Sequence, residues 1–582
     1  MLERLASFAF RKRRAVLVAW LLAAIVVTVA AGALGGTYAT GGRLRGTDSD
    51  AAYQLLQREF GGTGGDAATV VLTDPRGVAG ERAAIERYLA DARNLAGVAA
   101  VASPFDRPGQ ISADGTVAYA TVDFAAAGAS AIEDAARSVR TAAAPLAAVG
   151  VGTAFAGNWY TEGGVPSSEV FGIAAAMVIL LLAFGSVVAM GLPILTAVVG
   201  ILIGLGGVSL WAAVVDTPDF AVQVASMIGI GVGIDYALFI VTRYRAALHR
   251  GATPHDAVVE AMGTAGRAVV FAGGTVMISL LGMTLMGVGL FYGLALSSSA
   301  AVLVAVLAAV TLLPALLGVA GRRIDRLSIH RRHRGTVAAT AAGETVWHRW
   351  SRLVQRRPAV AAAAGVLTLL ALAAPVLGMR LASADPGNDP TGTTTRTAYD
   401  ELAAGFGPGF NGPLVVAVPT ATGAARAALP ALVATLRGTP GVAFATEAQP
   451  SPSGAAAMVT VVPTTSPQSR DTEALVRRLR HQVLPPFATE GLVAHVGGQT
   501  ASAVDFAGIM SARLPVFIGA VLVCSFLLLL LVFRSVLVPL KAVVMNLLSI
   551  GAAYGAMVAV FQWGWLGSLV GSGPPPSSRG HR

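Results

Sequence analysis

Lysine is nearly absent from this chain. Only Lys12 and Lys541 occur in 582 residues, although Lys and Arg together number 42. A phosphate-cradling G-x-x-x-x-G-K-[ST] loop needs a lysine beside glycines, and neither lysine has that setting. Work driven through an ordinary P-loop ATPase is therefore excluded. Cysteine is reduced to Cys524, inside an apolar run, so no intramolecular disulfide can form. Charge is scarce as well, at 13% of residues against about 25% in ordinary soluble domains. His330 and His333 have H-x-x-H spacing, but Arg331, Arg332 and Arg334 surround them. Metal ligation needs a neutral imidazole, so this segment reads as a solvated basic stretch. No nucleophile, acid pair or cofactor loop stands out. The chain reads as a non-enzyme with no catalytic residues, metal site, cofactor or nucleic-acid partner.

What is present is apolar length. Hydrophobic residues make up 54% of the chain, and mean hydropathy is +0.67. Runs of about 18 or more apolar residues read as membrane-spanning helices. Nine are expected, at 15–34, 169–189, 192–214, 220–242, 268–290, 296–319, 359–379, 514–533 and 536–561. The first could be a signal peptide, with Ala31-Gly32-Ala33 as a cleavage-like triplet. A retained helix is preferred, because the seventh run repeats its start: Arg13-Arg14-Ala15-Val16 against Arg356-Arg357-Pro358-Ala359-Val360.

Basic residues near span ends set orientation. "RKRR" (11–14) precedes the first run, "RYRAALHR" (243–250) follows the fourth, and 322–357 carries ten arginines against Asp325 and Glu344. Alternating the spans puts all three on one side, expected to be the cytoplasm with the N-terminus. The loops 35–168 and 380–513 then lie outside. Each reads as β-α-β-β-α-β, the split βαβ order, with strands near 68–73, 98–103, 116–124 and 149–156 in the first loop. In the second they fall near 413–418, 441–446, 456–462 and 491–496. Letters repeat too. "AYQLLQREFG" (52–61) matches "AYDELAAGFG" (398–407), and "LLLAFGSV" (180–187) matches "LLLVFRSV" (529–536). Two parallel repeats are a transporter-like plan. The second repeat is incomplete, with two spans after its domain where the first has five.

One charge interrupts the spans. Asp235, in "GIGVGIDYALFIVTRYR", is the only carboxylate well inside any run, about 6 Å from the centre of 220–242 at 1.5 Å per residue. A charged group at such depth costs about 2.5–3.5 kcal/mol on insertion scales and commonly marks an ion or proton pathway. A group that loads and loses a proton at membrane depth is what a proton-driven transporter needs. A neutral acid held for packing is the plainer alternative. Tyr236 lies about 100° around the helix and is not placed to cap Asp235. Thr275 and Ser279, spaced i, i+4 on the fifth run, could face it as relay neighbours, although Ser and Thr also serve ordinary helix contacts. Gly229 and Gly233 form G-x-x-x-G with Gly231 between, which permits close helix packing or helix sliding. After the fourth run, Thr253 and Pro254 look like a helix start. Ala257, Val258, Ala261, Met262 and Ala265 then form an apolar face, expected to lie along the inner membrane surface; a gate is the other reading.

These residues resemble a known family. "IGVGIDYALFIVTRYR", "TAGRAVVFAGGTVMISLLG" (264–282) and "SFLLLLLVFRSVLVPLKAVVMNLLSIGAAYG" (525–555) look like actinobacterial MMPL transporters of the resistance-nodulation-division superfamily. "LRGTDSDAAYQLL" (44–56) and "VFQWGWLG" (560–567) fit as well. The resemblance covers nearly all of 1–570. It implies an α-helical polytopic membrane protein with two extracytoplasmic α/β (ferredoxin-like) porter domains, in the bacterial plasma membrane. Its segments would be 1–34 with the first span, the 35–168 porter domain, the 169–320 bundle and the 321–358 basic linker. The span 359–379, the 380–513 porter domain, the 514–561 span pair and an atypical 562–582 tail follow. The implied activity is proton-driven export of lipids or other hydrophobic compounds, with no cofactor beyond the proton gradient. Partners would be membrane lipids and a lipid-like substrate, with a homo-oligomer or accessory cell-envelope proteins left open. In the family, Asp-Tyr pairs on the fourth and tenth spans form the proton relay. Asp235 and Tyr236 match the first pair. The second would lie beyond Gly567, so the chain is expected to be C-terminally truncated. The rivals are an inactive fragment, a SecDF-like export accessory and a sterol-sensing or receptor-like relative.

Overall fold

The computed structural model describes every residue except 37, 39–43, 62–66, 107–108, 126–128, 161–167, 326–345, 380–384, 489–490 and 566–582. His330 and His333, the atypical tail and much of the basic linker lie outside the described residues. The chain divides into two compact units. One comprises 1–43, 165–368 and 512–549; the other comprises 44–164, 369–511 and 550–582.

Among the described residues, eight helices are long and apolar enough to cross a membrane. In chain order they are Arg13–Leu34, Val187–Ala212, Phe220–His249, Pro254–Met286, Gly289–Asp325, Pro358–Gly378, Gln499–Phe533 and Leu537–Gln562. The second expected run, 169–189, is a shorter apolar helix, Val170–Phe184. Its expected end at 189 is too far along. Gly185 sits at φ 63° and stops the helix, and the Ser186 hydroxyl accepts from Ala189 N to start the next. The expected helix on the inner surface also changes. Pro254–Ala261 is capped by Thr253 and buries Ala257, Val258 and Ala261. It then continues through a five-residue π segment, Met262–Gly266, into the fifth long run.

The same break recurs at the other copy of the "LLL" motif. Gly185 N bonds the Leu181 carbonyl at 2.8 Å, and Arg534 N bonds the Leu530 carbonyl at 2.8 Å. Arg534, at φ 48°, is the one non-glycine residue with positive φ among those described. An L-residue there costs about 1–2 kcal/mol, which glycine avoids. Arg534→Gly is therefore expected to raise the thermal midpoint of the detergent-solubilised protein, with a gain of about 1 kcal/mol. A lowered midpoint would show that the arginine side chain outweighs its backbone strain.

The first unit is held by close helix contacts. Counting Val170–Phe184 as the second, the third, fourth and sixth apolar helices (Val187–Ala212, Phe220–His249 and Gly289–Asp325) form its centre, with Tyr236, Ile240, Val241 and Tyr244 of the fourth buried among Leu192, Val302, Val306 and Ala309. Lipid tails are as apolar as these side chains, so association comes from close packing of small residues. Gly204 shows it: a Cβ there would meet Ala301 Cα at 3.4 Å. Beyond the apolar stretch, Asp325 ties the sixth helix to the end of the fourth through Arg245 (2.7 Å) and His249 (2.9 Å).

The second unit contains two antiparallel sheets. The first joins β1 (Ala67–Thr73), β2 (Val98–Ala102), β3 (Val117–Phe124) and β4 (Gly152–Ala156) in the order β2-β3-β1-β4. The second joins β5 (Leu414–Pro419), β6 (Val442–Ala445), β8 (Ala456–Pro463) and β9 (His495–Gly497) in the order β6-β8-β5-β9, with β7 (Gln449–Pro450) beside β8. Local devices recur in both. Each sheet has a register shift, at Val98/Ala100 and at Val442/Phe444. Ser112 and Ser451 accept from Val117 N and Ala456 N at 3.0 and 3.1 Å to close the same turn. Arg93 and Arg437 donate to the Val101 and Ala445 carbonyls.

Each sheet carries a helix from the other loop. Thr394–Phe406 packs on β4, β1 and β3, with Ala398 and Leu402 buried against Val71, Val117 and Ala154. Asp48–Glu59 packs on β9 and β5, where a Cβ on Gly497 would overlap Ala52 Cβ. These are the helices that carry the matched "AY…FG" letters. The exchange covers the second face of both sheets. It explains why Val70, Val71 and Leu72 are all 0% exposed, as are Val416, Ala417 and Val418. A strand with one wet face would alternate.

Candidate functional site: the fourth apolar helix

Thirty residues, Phe220–His249, make the fourth helix, and Asp235 falls at its midpoint. The helix buries one side. Gly229, Gly233, Tyr236, Ala237 and Ile240 face the bundle. A Cβ on Gly233 would lie 3.1 Å from Ala197 Cβ, and one on Gly229 would lie 3.4 Å from Ile201 Cγ1. Gly231 departs from its expected packing role, since an added Cβ would meet nothing within 4 Å. It shares the outward stripe with Met227, Asp235 and Phe239, all exposed at successive i, i+4 steps.

Asp235 and Tyr236 therefore point in different directions. Tyr236 is 6% exposed, and its ring comes within 3.4 Å of where a Gly273 Cβ would be. Asp235 is exposed on the side away from this packing. Among the described residues no hydrogen bond or ion pair reaches its carboxylate, including from Thr275 or Ser279. Thr275 Oγ1 donates instead to the Phe271 carbonyl at 3.0 Å on its own helix. The carboxylate thus stands alone on an apolar outward face, apart from the packed side of its own helix. No group of three or more His, Cys, Asp or Glu residues is placed to hold a metal among the described residues.

Sequence reasoning missed a second cluster. Arg480, 13% exposed at its side chain, lies between Asp48 (Nε to Oδ2, 2.9 Å) and Asp505. The Nε contact is off-line for a hydrogen bond, whereas Nη2 donates to Asp505 Oδ2 at 3.0 Å and to the Val496 carbonyl at 2.9 Å. Asp48 also accepts from Val496 N and pairs with His495 Nδ1, both at 2.8 Å. Burial pushes the Asp48 carboxyl up, but the His495 and Val496 hydrogen bonds and the Arg480 charge together hold it below the usual range. Nothing local in the sequence signals this cluster, because Asp48 lies 447 residues before His495 and comes from the other loop.

The profile of the MMPL family matches residues 43–361 and 390–568. The chain belongs to the MMPL family. Asp235 thus sits on the fourth apolar helix of an MMPL multi-pass membrane protein, and several relatives of the chain carry transporter names. Membrane protein YdfJ of Bacillus subtilis is 33% identical over 97% of this chain and 77% of its own length. The mycolic acid-containing lipids exporter MmpL11 of Mycolicibacterium smegmatis is 34% identical over 70% of this chain and 43% of its own length. The heme uptake protein MmpL11 of Mycobacterium tuberculosis is 34% identical over 70% of this chain and 42% of its own length. The chain thus spans about three quarters of the first and less than half of the other two.

Proposed function

We propose that this MMPL protein exports lipids or other hydrophobic compounds across the bacterial plasma membrane, driven by the proton gradient. Asp235 carries the proton. Tyr236, behind it in the bundle, holds the helix position from which Asp235 works. Export is favoured over uptake by the lipid-exporter relative, and the proton gradient by the absence of any P-loop. The N-terminus faces the cytoplasm, since Arg11–Arg14, 243–250 and 322–357 then share the side that positive charge prefers. The two sheet domains lie outside as porter domains of two parallel repeats, the reading their shared turns and exchanged helices support.

The observation that carries this reading is the isolated carboxylate at the midpoint of a membrane-length helix. Intramembrane acids mark proton and substrate pathways. The test uses the chain in lipid vesicles with an imposed pH gradient. Dicyclohexylcarbodiimide, which modifies protonated carboxyls in apolar surroundings, is expected to label Asp235 and to stop gradient-driven efflux of a fluorescent lipid. Asp235→Asn is expected to insert normally, escape labelling and lose efflux at least tenfold. Unchanged efflux in the variant would overturn the assignment.

A further inference from the structure

The turn between the first helix and the first span builds a basic groove that the export reading leaves unused. The helix Leu2–Arg11 ends at Lys12 (φ −100°, ψ 31°), and the first span begins at Arg13. A groove of about 670 Å³ opens there, lined by Phe10, the run Arg11–Arg14 and His255.

Its walls are fixed. Ala6 and Ala9 are 0% and 1% exposed, and the helix packs on Pro254–Ala261 and Leu313–Ala320. Arg13 Nη1 donates to the Gly318 carbonyl at 2.6 Å. Phe10 meets the His255 ring edge-on, with centroids 5.3 Å apart. His255 is held at both nitrogens, by the Ser7 hydroxyl at 3.0 Å and by Asp256 at 3.3 Å.

The remaining cations are uncompensated. Arg11, Lys12 and Arg14 are exposed, and no ion pair or hydrogen bond engages their side chains among the described residues. The nearby carboxylates are taken: Glu3 pairs with Arg267 at 3.3 Å, and Asp256 accepts from the Thr253 hydroxyl at 2.6 Å. Three free positive charges thus line an open groove where the chain enters the apolar layer. Directly beyond, the first span exposes Val18, Leu21, Leu22 and Ile25 by half or more. Orientation bias explains basic residues at a span end. It does not require an aromatic side or a backbone-locked arginine beside a groove.

We propose that this groove binds the phosphate headgroup of an anionic phospholipid from the leaflet on the N-terminal side. The headgroup phosphate sits among Arg11, Lys12 and Arg14, and the acyl chains run along the exposed side of the first span. Basic residues near a membrane surface attract anionic lipid strongly enough for such selectivity.

The 582-residue chain in uncharged detergent would be titrated with phosphatidylglycerol, phosphatidylcholine and inorganic phosphate, with bound species read by native mass spectrometry. Phosphatidylglycerol is expected to bind at least tenfold more tightly than phosphatidylcholine. The triple variant Arg11→Gln, Lys12→Gln, Arg14→Gln is expected to lose that preference while keeping its lipid-free thermal midpoint. A control, Arg322→Gln, Arg323→Gln, Arg356→Gln, removes the same charge elsewhere and is expected to keep it. Equal binding of the two lipids, or equal loss in the control, would overturn the proposal. Displacement of phosphatidylglycerol by inorganic phosphate at matching affinity would overturn the lipid assignment in favour of a soluble anion.

Discussion

Arg480→Ala is expected to destabilise the second unit by about 3–5 kcal/mol, because it leaves two half-buried carboxylates without their cation. Asp505 is 11% exposed and Asp48 29% exposed at the side chain. Both face Arg480, and Ser49 N reaches Asp505 Oδ2 at 3.2 Å. The cluster fixes the start of the exchanged helix Asp48–Glu59 against β9. Its loss should therefore loosen that helix first, read as faster amide exchange across residues 48–59 than across β1. Arg480→Lys restores the charge but not the fork, and a recovery of less than half would confirm that geometry matters. A thermal midpoint unchanged by Arg480→Ala would show that the pairs contribute nothing net.

Acid acts on the same cluster with a definite sign. Asp48 is held below the ordinary carboxylate range. Its contribution is fully present above the unfolded value of about 3.9 and is lost as pH falls through the lower folded value. Asp385 and Glu401 behave oppositely. Burial raises the carboxyls of both, against the Gly387 and Tyr399 hydrogen bonds for Asp385 and the Thr73 hydrogen bond for Glu401. Proton uptake by these two favours the fold as pH falls towards the unfolded carboxyl values. Asp48→Asn should therefore flatten the loss of stability below about pH 4 and leave the limb above it unchanged.

Local pattern placed most elements. The helix Gly423–Arg437 falls between strands of the second loop, where the split βαβ order places one. The nine apolar runs all exist as helices, with one too short to count by length. The breaks between them were read less well, because Gly185 ends a helix through its left-handed backbone inside an uninterrupted apolar run. The helix exchange was out of reach for a different reason. "AYQLLQREFG" and "AYDELAAGFG" show that two helices are alike, but not that each covers the other's sheet. One hint was present: three consecutive apolar residues in β1 and again in β5 leave no wet face. Asp235 was legible because a charge among apolar residues is a one-residue signal. The direction of Gly231 was not, since three glycines at alternate positions look equivalent in letters while spanning both sides of a helix.

That last difference yields a prediction that separates packing from function on one helix. Gly233 faces Ala197, with Cβ-to-Cβ and Cβ-to-Cα approaches of 3.1 and 3.2 Å for an added methyl. Those atoms belong to a backbone that cannot swing aside. Gly233→Val adds two more methyls into this contact and forces the third and fourth helices apart. Overpacking of this kind costs about 1–3 kcal/mol, and the thermal midpoint of the solubilised protein should fall accordingly. Gly231→Val meets open space and replaces a poor helix former by a better one, worth a few tenths of a kcal/mol. Its midpoint should hold or rise slightly. Function should sort the other way in its cause. Gly231 lies one turn before Asp235 on the same outward stripe, so a valine there crowds the approach of the reagent to the carboxylate without disturbing the bundle. Carbodiimide labelling of Asp235 should slow several-fold in Gly231→Val at unchanged stability. In Gly233→Val, labelling should persist while stability falls. If both variants lost stability equally, the outward stripe would be packed rather than open, and the placement of Asp235 on a free face would be wrong.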